Sequence, residues 1–212
     1  MVDLPFATVP SLVARLDGVM DTEGKILRAL EALGPLAGRD VAVIDVAGTG
    51  WVARLREAGA DPLVVPADPP LRLPVADRSL DTVVALWTGF RGVDAADLAE
   101  ADRALRPGGR LLVVHDYGRD DVSALRDPEA PEYRAWSRRD GPFLRDGGFK
   151  IRVVHCFWTF ATLEEAVDML GLFGERGAAV AERLRRPRLT WNVAVYHRWR
   201  GGVVPEGNPG AG

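Results

Sequence analysis

Apolar positions follow two rhythms along the chain. Between residues 41 and 115, short continuous apolar runs alternate with stretches where apolar residues recur every three or four positions. The first pattern suits buried strands and the second suits one face of a helix. Val41–Val46, Leu63–Val65, Leu80–Leu86 and Arg110–His115 are therefore predicted strands. A helix is predicted after Gly50 to about Ala58, where Gly59 ends it. Asp94 is placed to cap another, which carries Leu98, Ala101 and Leu105 on one face. Residues 66–79 hold four prolines (Pro66, Pro69, Pro70, Pro74) and read as a loop. Pro107-Gly108-Gly109 reads as a turn. Strands alternating with helices imply a parallel sheet with right-handed crossovers.

The flanks read differently. Ser11 is placed to cap a short helix with Leu12, Val13, Leu16 and Met20. Asp21 and Thr22 start a second, with Ile26, Leu27, Leu30 and Leu33 at helical spacing, stopped by Gly34-Pro35. A helix is expected near 131–146, ended by Gly147-Gly148. Phe149–Phe160 is a long β-rich run. Thr162-Leu-Glu-Glu165 has capping-box spacing and opens a helix or helix pair to about Leu184. Leu189–Trp199 is the last strand. These two late strands lack a strand–helix–strand rhythm and suggest an antiparallel edge. Residues 1–10 read as an irregular arm and 200–212 as a flexible tail.

The 212 residues suit one α/β domain of 1–199 followed by that tail. Net charge is 27 − 30 = −3, too small to argue for nucleic acid or an anionic membrane as partner. Twenty-five of the 27 basic residues are Arg, for which a GC-rich, bacterial genome is explanation enough. Residues 134–199 carry 12 basic and 7 acidic groups, a local +5, read as a solvated surface. One cysteine, Cys156, excludes an intramolecular disulfide and a Cys-based zinc site, and its apolar setting suits a buried residue. His115, His155 and His197 fall on different strands and do not suggest a metal site. No secretory leader pattern opens the chain and no apolar stretch nears ~18 residues, so a cytoplasmic location is expected.

The chemistry-bearing stretch begins at Asp45. A buried strand ending in Asp45-Val-Ala-Gly-Thr-Gly50 brings a Gly-rich turn and a helix start to the carboxyl end of the sheet. Ligands of open α/β sheets bind in that crevice. A tight turn with no ligand is the plainer alternative. Two further stretches follow: Leu73-Pro-Val-Ala-Asp-Arg-Ser-Leu-Asp-Thr-Val-Val84 and Leu98-Ala-Glu-Ala-Asp-Arg-Ala-Leu-Arg-Pro-Gly-Gly-Arg-Leu-Leu-Val-Val114. In order and spacing, the three together resemble the class I S-adenosylmethionine-dependent methyltransferases. The likeness spans roughly residues 20–199, including Gly-Gly-Phe149 entering a late strand.

That resemblance implies a doubly wound, mostly parallel Rossmann-like methyltransferase sheet. About six strands fit this chain, the last one antiparallel. An N-terminal helical cap (1–38) and a helical insert (161–186) before the last strand complete the architecture. It implies S-adenosylmethionine as cofactor, with Asp45, Ala47, Gly48, Thr49 and Gly50 around its methionine end. Asp68 would lie by its nucleoside, and Trp87 and Thr88 where cofactor and substrate contacts cluster, with core packing and a turn as the alternative. The chain departs from the family in two places. The glycine loop is one residue short, with Ala47 for the first glycine. Only 31 positions separate Gly50 from Asp81, too few for strand, helix and strand after the first helix. Leu63–Asp68 must then serve as one fused strand, with Asp68 on the adenine side or, alternatively, as the acid for the ribose hydroxyls.

His115, beside Asp116 and Tyr117, is the candidate general base, with a backbone-satisfied histidine as the alternative. Trp136, Trp158 and Trp191 are placed either at a substrate mouth or in the core. The function expected is methyl transfer to a small-molecule acceptor. The rival reading is a methyltransferase-like domain without cofactor that acts as a binding or regulatory partner. A non-methylating enzyme in the same crevice is a third.

Overall fold

The computed structural model describes residues 10–45, 50–68, 70–90, 93–126 and 135–202. The predicted arm, most of the tail, and Ala47, Gly48 and Thr49 of the glycine turn lie outside the described residues. Helices α1 (Pro10–Asp17) and α2 (Lys25–Leu33) precede strand β1 (Val41–Asp45). Then come α3 (Trp51–Glu57), β2 (Leu63–Pro66), β3 (Leu80–Leu86), α4 (Ala95–Ala104) and β4 (Leu105–Asp116). The chain ends with β5 (Lys150–Thr159), α5 (Leu163–Gly171), α6 (Gly174–Ala181) and β6 (Arg188–Trp199).

The six strands form one sheet in the order β2-β1-β3-β4-β6-β5. The pairs β1–β2, β1–β3 and β3–β4 are parallel, and β6 runs antiparallel to both β4 and β5. Successive side chains of a strand point to opposite faces. Val41, Val43, Val84, Leu112, Val114 and Trp191 therefore join α1, α2, α3, α5 and α6 in one core layer. Ala42, Ile44, Val83, Leu111, Val113 and Tyr196 pack on the other face with α4 and the segment 136–149. Both faces are covered, which explains why β1 and β3 read as unbroken apolar runs.

Local chemistry fixes several boundaries. Asp21 stands before α2, where its carboxylate accepts the Lys25 and Ile26 N–H groups at 2.9 and 2.8 Å. Asp94 caps α4, accepting from Ala96 N–H at 2.7 Å. The Thr162 hydroxyl accepts from Glu165 N–H at 3.1 Å. Gly177 lets α6 approach α5, since a Cβ there would meet the Leu170 carbonyl oxygen at 1.7 Å.

Three expectations need correction. Helix α1 already begins at Pro10, so Ser11 lies inside it rather than capping it. Pro107-Gly108-Gly109 is not a turn between elements but an irregularity within β4, across which pairing shifts from Leu80–Leu105 to Thr82–Arg110. Gly108 takes φ 80° there, which a glycine adopts without steric cost. The helix expected near 131–146 is not one helix among the described residues. Residues 135–136 are helical, a turn follows, and a π-type turn spans Pro142–Asp146. Pro142 lacks the N–H that would carry a longer helix through.

The loop 66–79 is held by side chains rather than by strand pairing. Asp97, Glu100 and Arg103 recur along one face of α4. Asp97 Oδ1 accepts Leu71 N–H at 3.3 Å and Glu100 Oε1 accepts Leu73 N–H at 2.8 Å. Arg103 donates to the Leu73 and Val75 carbonyls, each at 2.9 Å, and to Asp77 at 2.7 Å. The side-chain hydrogen bond from Arg103, above all, brings the Glu100 carboxyl down to about 2. A depressed carboxyl contributes stability above its unfolded value and loses it as pH falls toward its folded one. We expect part of the acid destabilisation between about pH 4.5 and 2 to disappear in Glu100→Gln. That variant should also lose about 1–2 kcal/mol at neutral pH. Urea unfolding across that pH range checks both; an unchanged pH profile contradicts the assignment.

Candidate active site

Parallel strands β1, β2 and β3 all end on the same edge of the sheet. A cavity of about 580 Å³ opens there. That volume is within the range of small-molecule sites, about 300–1,000 Å³. Its apolar lining comes from Ile44 of β1, Ala67 and Leu71 beyond β2, and Phe90 beyond β3. Its polar lining is Thr88 with three carboxylates, Asp68, Asp94 and Asp97, and no basic residue among the described residues. Such a site favours a ligand bearing positive charge and hydroxyl or amine donors.

Asp68 follows β2 by two residues, and β2 pairs directly with β1. No strand lies outside β2 among the described residues. Between Gly50 and Asp81 the described residues hold α3, β2 and the stapled loop 66–79. Asp68 stands exposed at the cavity beside β1.

The wall supplied by β3 is strained. Trp87, Phe90 and Val93 take φ values of 50°, 52° and 61°, and Gly89 takes 67°. Side chains rarely tolerate that region, and β-branched Val93 least. Such strain persists only where the surroundings over-determine it. Here they do. Trp87 N–H donates to the Val114 carbonyl at 2.9 Å, and Trp87 Nε1 donates to Asp116 Oδ1 at 3.0 Å. Trp191 Nε1 donates to the same oxygen at 3.0 Å, and Arg126 pairs with Asp116 Oδ2. The Trp87 ring lies 5.2 Å from Trp51 and 5.5 Å from Trp191, stacked on the latter. The Phe90 side chain is buried and its carbonyl accepts Val93 N–H at 3.0 Å.

Trp87 is thus 1% exposed and supports the cavity wall from behind, while Thr88 and Gly89 line it. Trp158 and Trp191 are core residues of the same face, and Trp136 packs on the other. His115 and Asp116 are neighbours in β4 and enter different layers. His115 is fully buried, with its ring 4.7 Å from Trp136 and 6.1 Å from Phe143, and it does not line the cavity. Cys156 is buried, and burial raises its thiol far above the usual range.

Asp45 is buried at the end of β1. Gly50, which starts α3, donates its N–H to Asp17 Oδ2 at 2.8 Å. Arg54 of α3 donates to the Asp17 and Met20 carbonyls. Asp17 was not singled out by its sequence setting. Its carboxyl is pushed up by burial, against the Gly50 N–H and the Arg54 charge. Through this pair the N-terminal helix grips the turn that carries the glycines. Asp97 and Phe90 were also missed as lining residues; the first read only as helix-start charge.

No family model and no curated protein matches the chain. Solved structures do match. One is a protein from Anabaena variabilis, provisionally named a methyltransferase from an antibiotic biosynthesis pathway. Its identity is 14%, with 85% of this chain and 98% of that one covered and a TM-score of 0.51. Another belongs to the complex between the Haloferax volcanii Trm112 methyltransferase activator and a provisionally named methyltransferase. There the identity is 20%, over 87% of this chain and 94% of that one, with a TM-score of 0.50. The fold is that of the class I methyltransferases. The strand order and the antiparallel β6 agree with that likeness.

The Asp116 cluster yields a prediction. Removing one partner of a buried ion pair leaves an uncompensated charge, while replacing both by apolar groups costs far less. Arg126→Ala should destabilise the protein by about 3–5 kcal/mol. The double replacement Asp116→Leu with Arg126→Leu removes both charges but leaves the Trp87 and Trp191 indole N–H groups without their acceptor, so it should recover only part of that loss in denaturant unfolding. A double variant as unstable as the sum of its single ones contradicts this account.

Proposed function

We propose that the chain transfers the methyl group of S-adenosylmethionine to a small-molecule acceptor. The observation that carries this reading is the all-acid cavity at the carboxyl edge, with Asp68 directly after the strand beside β1. The residues fit the cofactor. S-adenosylmethionine is a net cation with a vicinal diol, and the lining offers carboxylates and an apolar floor. Asp68 is assigned to the ribose hydroxyls, since a carboxylate accepts two such bonds at once. Ile44, Ala67, Leu71 and Phe90 then receive the flat face of the base. Gly48, Thr49 and Gly50 cradle the methionine end, with Asp45 orienting that turn from the end of β1.

When bound, the cofactor supplies an electrophilic sulfonium methyl, which an acceptor lone pair takes in line as the thioether leaves. The protein's contribution is positioning. Thr88 and the strained backbone at Trp87, Gly89 and Phe90 form a wall, braced by Trp87 on Asp116. In-line displacement gains most from such orientation and needs no strong base. That suits a site whose histidine candidate, His115, is packed against Trp136. Small-molecule acceptors suit a cavity of this size better than a nucleic acid does, and no helix among the described residues is long and apolar enough to cross a membrane.

Calorimetric titration with S-adenosylhomocysteine tests the reading. Saturable binding is expected, weakened about 10–100-fold in Asp68→Ala, the loss of a charge-assisted hydrogen bond worth about 1.5–3 kcal/mol. Absence of heat with the unaltered protein at about millimolar ligand would sink it. Binding that ignores Asp68→Ala would displace Asp68 from the ribose.

A further inference from the structure

The opposite edge of the sheet carries a second cavity, of about 420 Å³. It lies where β3 and β4 begin and antiparallel β6 ends. Arg39, Arg106 and Arg110 converge on it beside Trp199, with Asp81 the one carboxylate in its lining. Arg106 is already neutralised, bound to Asp40 at 2.7 Å and to Asp81 at 2.9 Å. Arg39 and Arg110 have no carboxylate within ion-pair distance among the described residues. The Arg110 guanidinium lies over the Trp199 ring, which screens one face and leaves its N–H fork open. A half-buried cation with only an aromatic ring for company is costly unless a counter-ion completes it. Burial indeed lowers the Arg110 group.

A neighbouring group lies in the same cationic surroundings. His197 pairs in register with Leu112 of β4 and Lys150 of β5. Burial first, then Arg110, Lys150 and Arg152, push its imidazole down to about 4. Every charged group acting on it is a cation. The amino edge is thus a positive pocket with two guanidinium forks to spare.

We propose that this cavity is a binding site for a phosphate group, held between the Arg39 and Arg110 guanidiniums. Two planar forks approaching from different elements suit a tetrahedral oxyanion, each fork taking a pair of oxygens. The Arg110–Trp199 stack makes the arrangement rigid before the ligand arrives. The site is at the other end of the strands from the cavity assigned to the cofactor, so it stands whether or not that assignment does.

Inorganic phosphate and glycerol phosphate are titrated separately into the full chain, at constant ionic strength set with chloride, and followed by calorimetry and tryptophan fluorescence. Saturable heat is expected, with an emission change that vanishes in Trp199→Phe. Arg39→Ala, at an exposed position, should bind about tenfold more weakly with an unchanged melting temperature. Arg110→Gln should abolish binding; Arg110→Lys, which keeps the charge and the strand, should bind but more weakly. Tighter binding of the ester than of free phosphate identifies a phosphorylated small molecule as the source, and the reverse identifies free phosphate. No heat with either probe, or binding that is unchanged in both Arg39→Ala and Arg110→Gln, overturns the proposal.

Discussion

The carboxylate of Asp116 is the constraint on which the carboxyl edge of the sheet depends. It ends β4 and receives Trp87 from the loop after β3, Trp191 from β6 and Arg126 from the segment beyond. Three parts of the chain, far apart in sequence, are fixed by one buried group. Burial makes this arrangement all-or-nothing. Partly satisfied, it would cost more than an apolar core; fully satisfied, it defines one geometry. The geometry it defines is unfavourable locally, because three non-glycine residues between 87 and 93 sit in the left-handed region. The indole hydrogen bond and the tryptophan stack hold them there. That loop forms one wall of the cavity, so the strain is located where a ligand is met.

The other wall is built without strand pairing beyond β2 among the described residues. Here the connection is a proline-rich loop, whose backbone N–H and C=O groups still need partners. The acidic and basic residues of α4 supply them, one helical turn after another, to alternate residues of the extended loop. The match works because three residues along a helix rise about 4.5 Å and two along an extended chain about 6.6 Å, close enough for long side chains to bridge. Glu100 and Arg103, unremarkable charges in the sequence, replace a strand's ladder.

Much of this was legible in the residues and some was not. The ends of β3, the Asp94 and Thr162 caps and the antiparallel last strand followed from apolar runs and capping chemistry. Those signals are local, and local chemistry decided them. The irregularity at Gly108-Gly109 was read as a turn because Pro-Gly-Gly has turn chemistry; pairing with β3 on both sides keeps it within the strand. The run from 131 to 146 has apolar residues at helical spacing, but Pro142 and the packing of Trp136 and Phe143 broke it. At the site, Asp68 and Thr88 stood out by position after a strand. Asp17 and Asp97 did not, because their partners Gly50 and Leu71 lie 33 and 26 positions away in sequence, and Phe90 did not, because its place in the cavity lining is set by the fold. His115 beside Asp116 looked like a pair; strand geometry sends them into separate layers.

A net charge of −3 describes the chain poorly, because charge is segregated along the strands. The carboxyl edge gathers Asp68, Asp94 and Asp97 around one cavity, while the amino edge gathers Arg39, Arg106 and Arg110 around the other. The low-dielectric sheet separates the two sets, so neither neutralises the other. Helix ends reinforce part of this pattern: Asp94 and Asp97 sit at the start of α4, where the peptide dipoles favour negative charge, and Arg103 sits at its end. The acids at the carboxyl edge can accept from a cationic, hydroxyl-bearing ligand. Of the arginines at the amino edge, Arg106 is paired with Asp40 and Asp81, while Arg39 and Arg110 have no carboxylate within ion-pair distance among the described residues. That asymmetry makes the near-neutral composition compatible with two sites of opposite charge preference on one sheet.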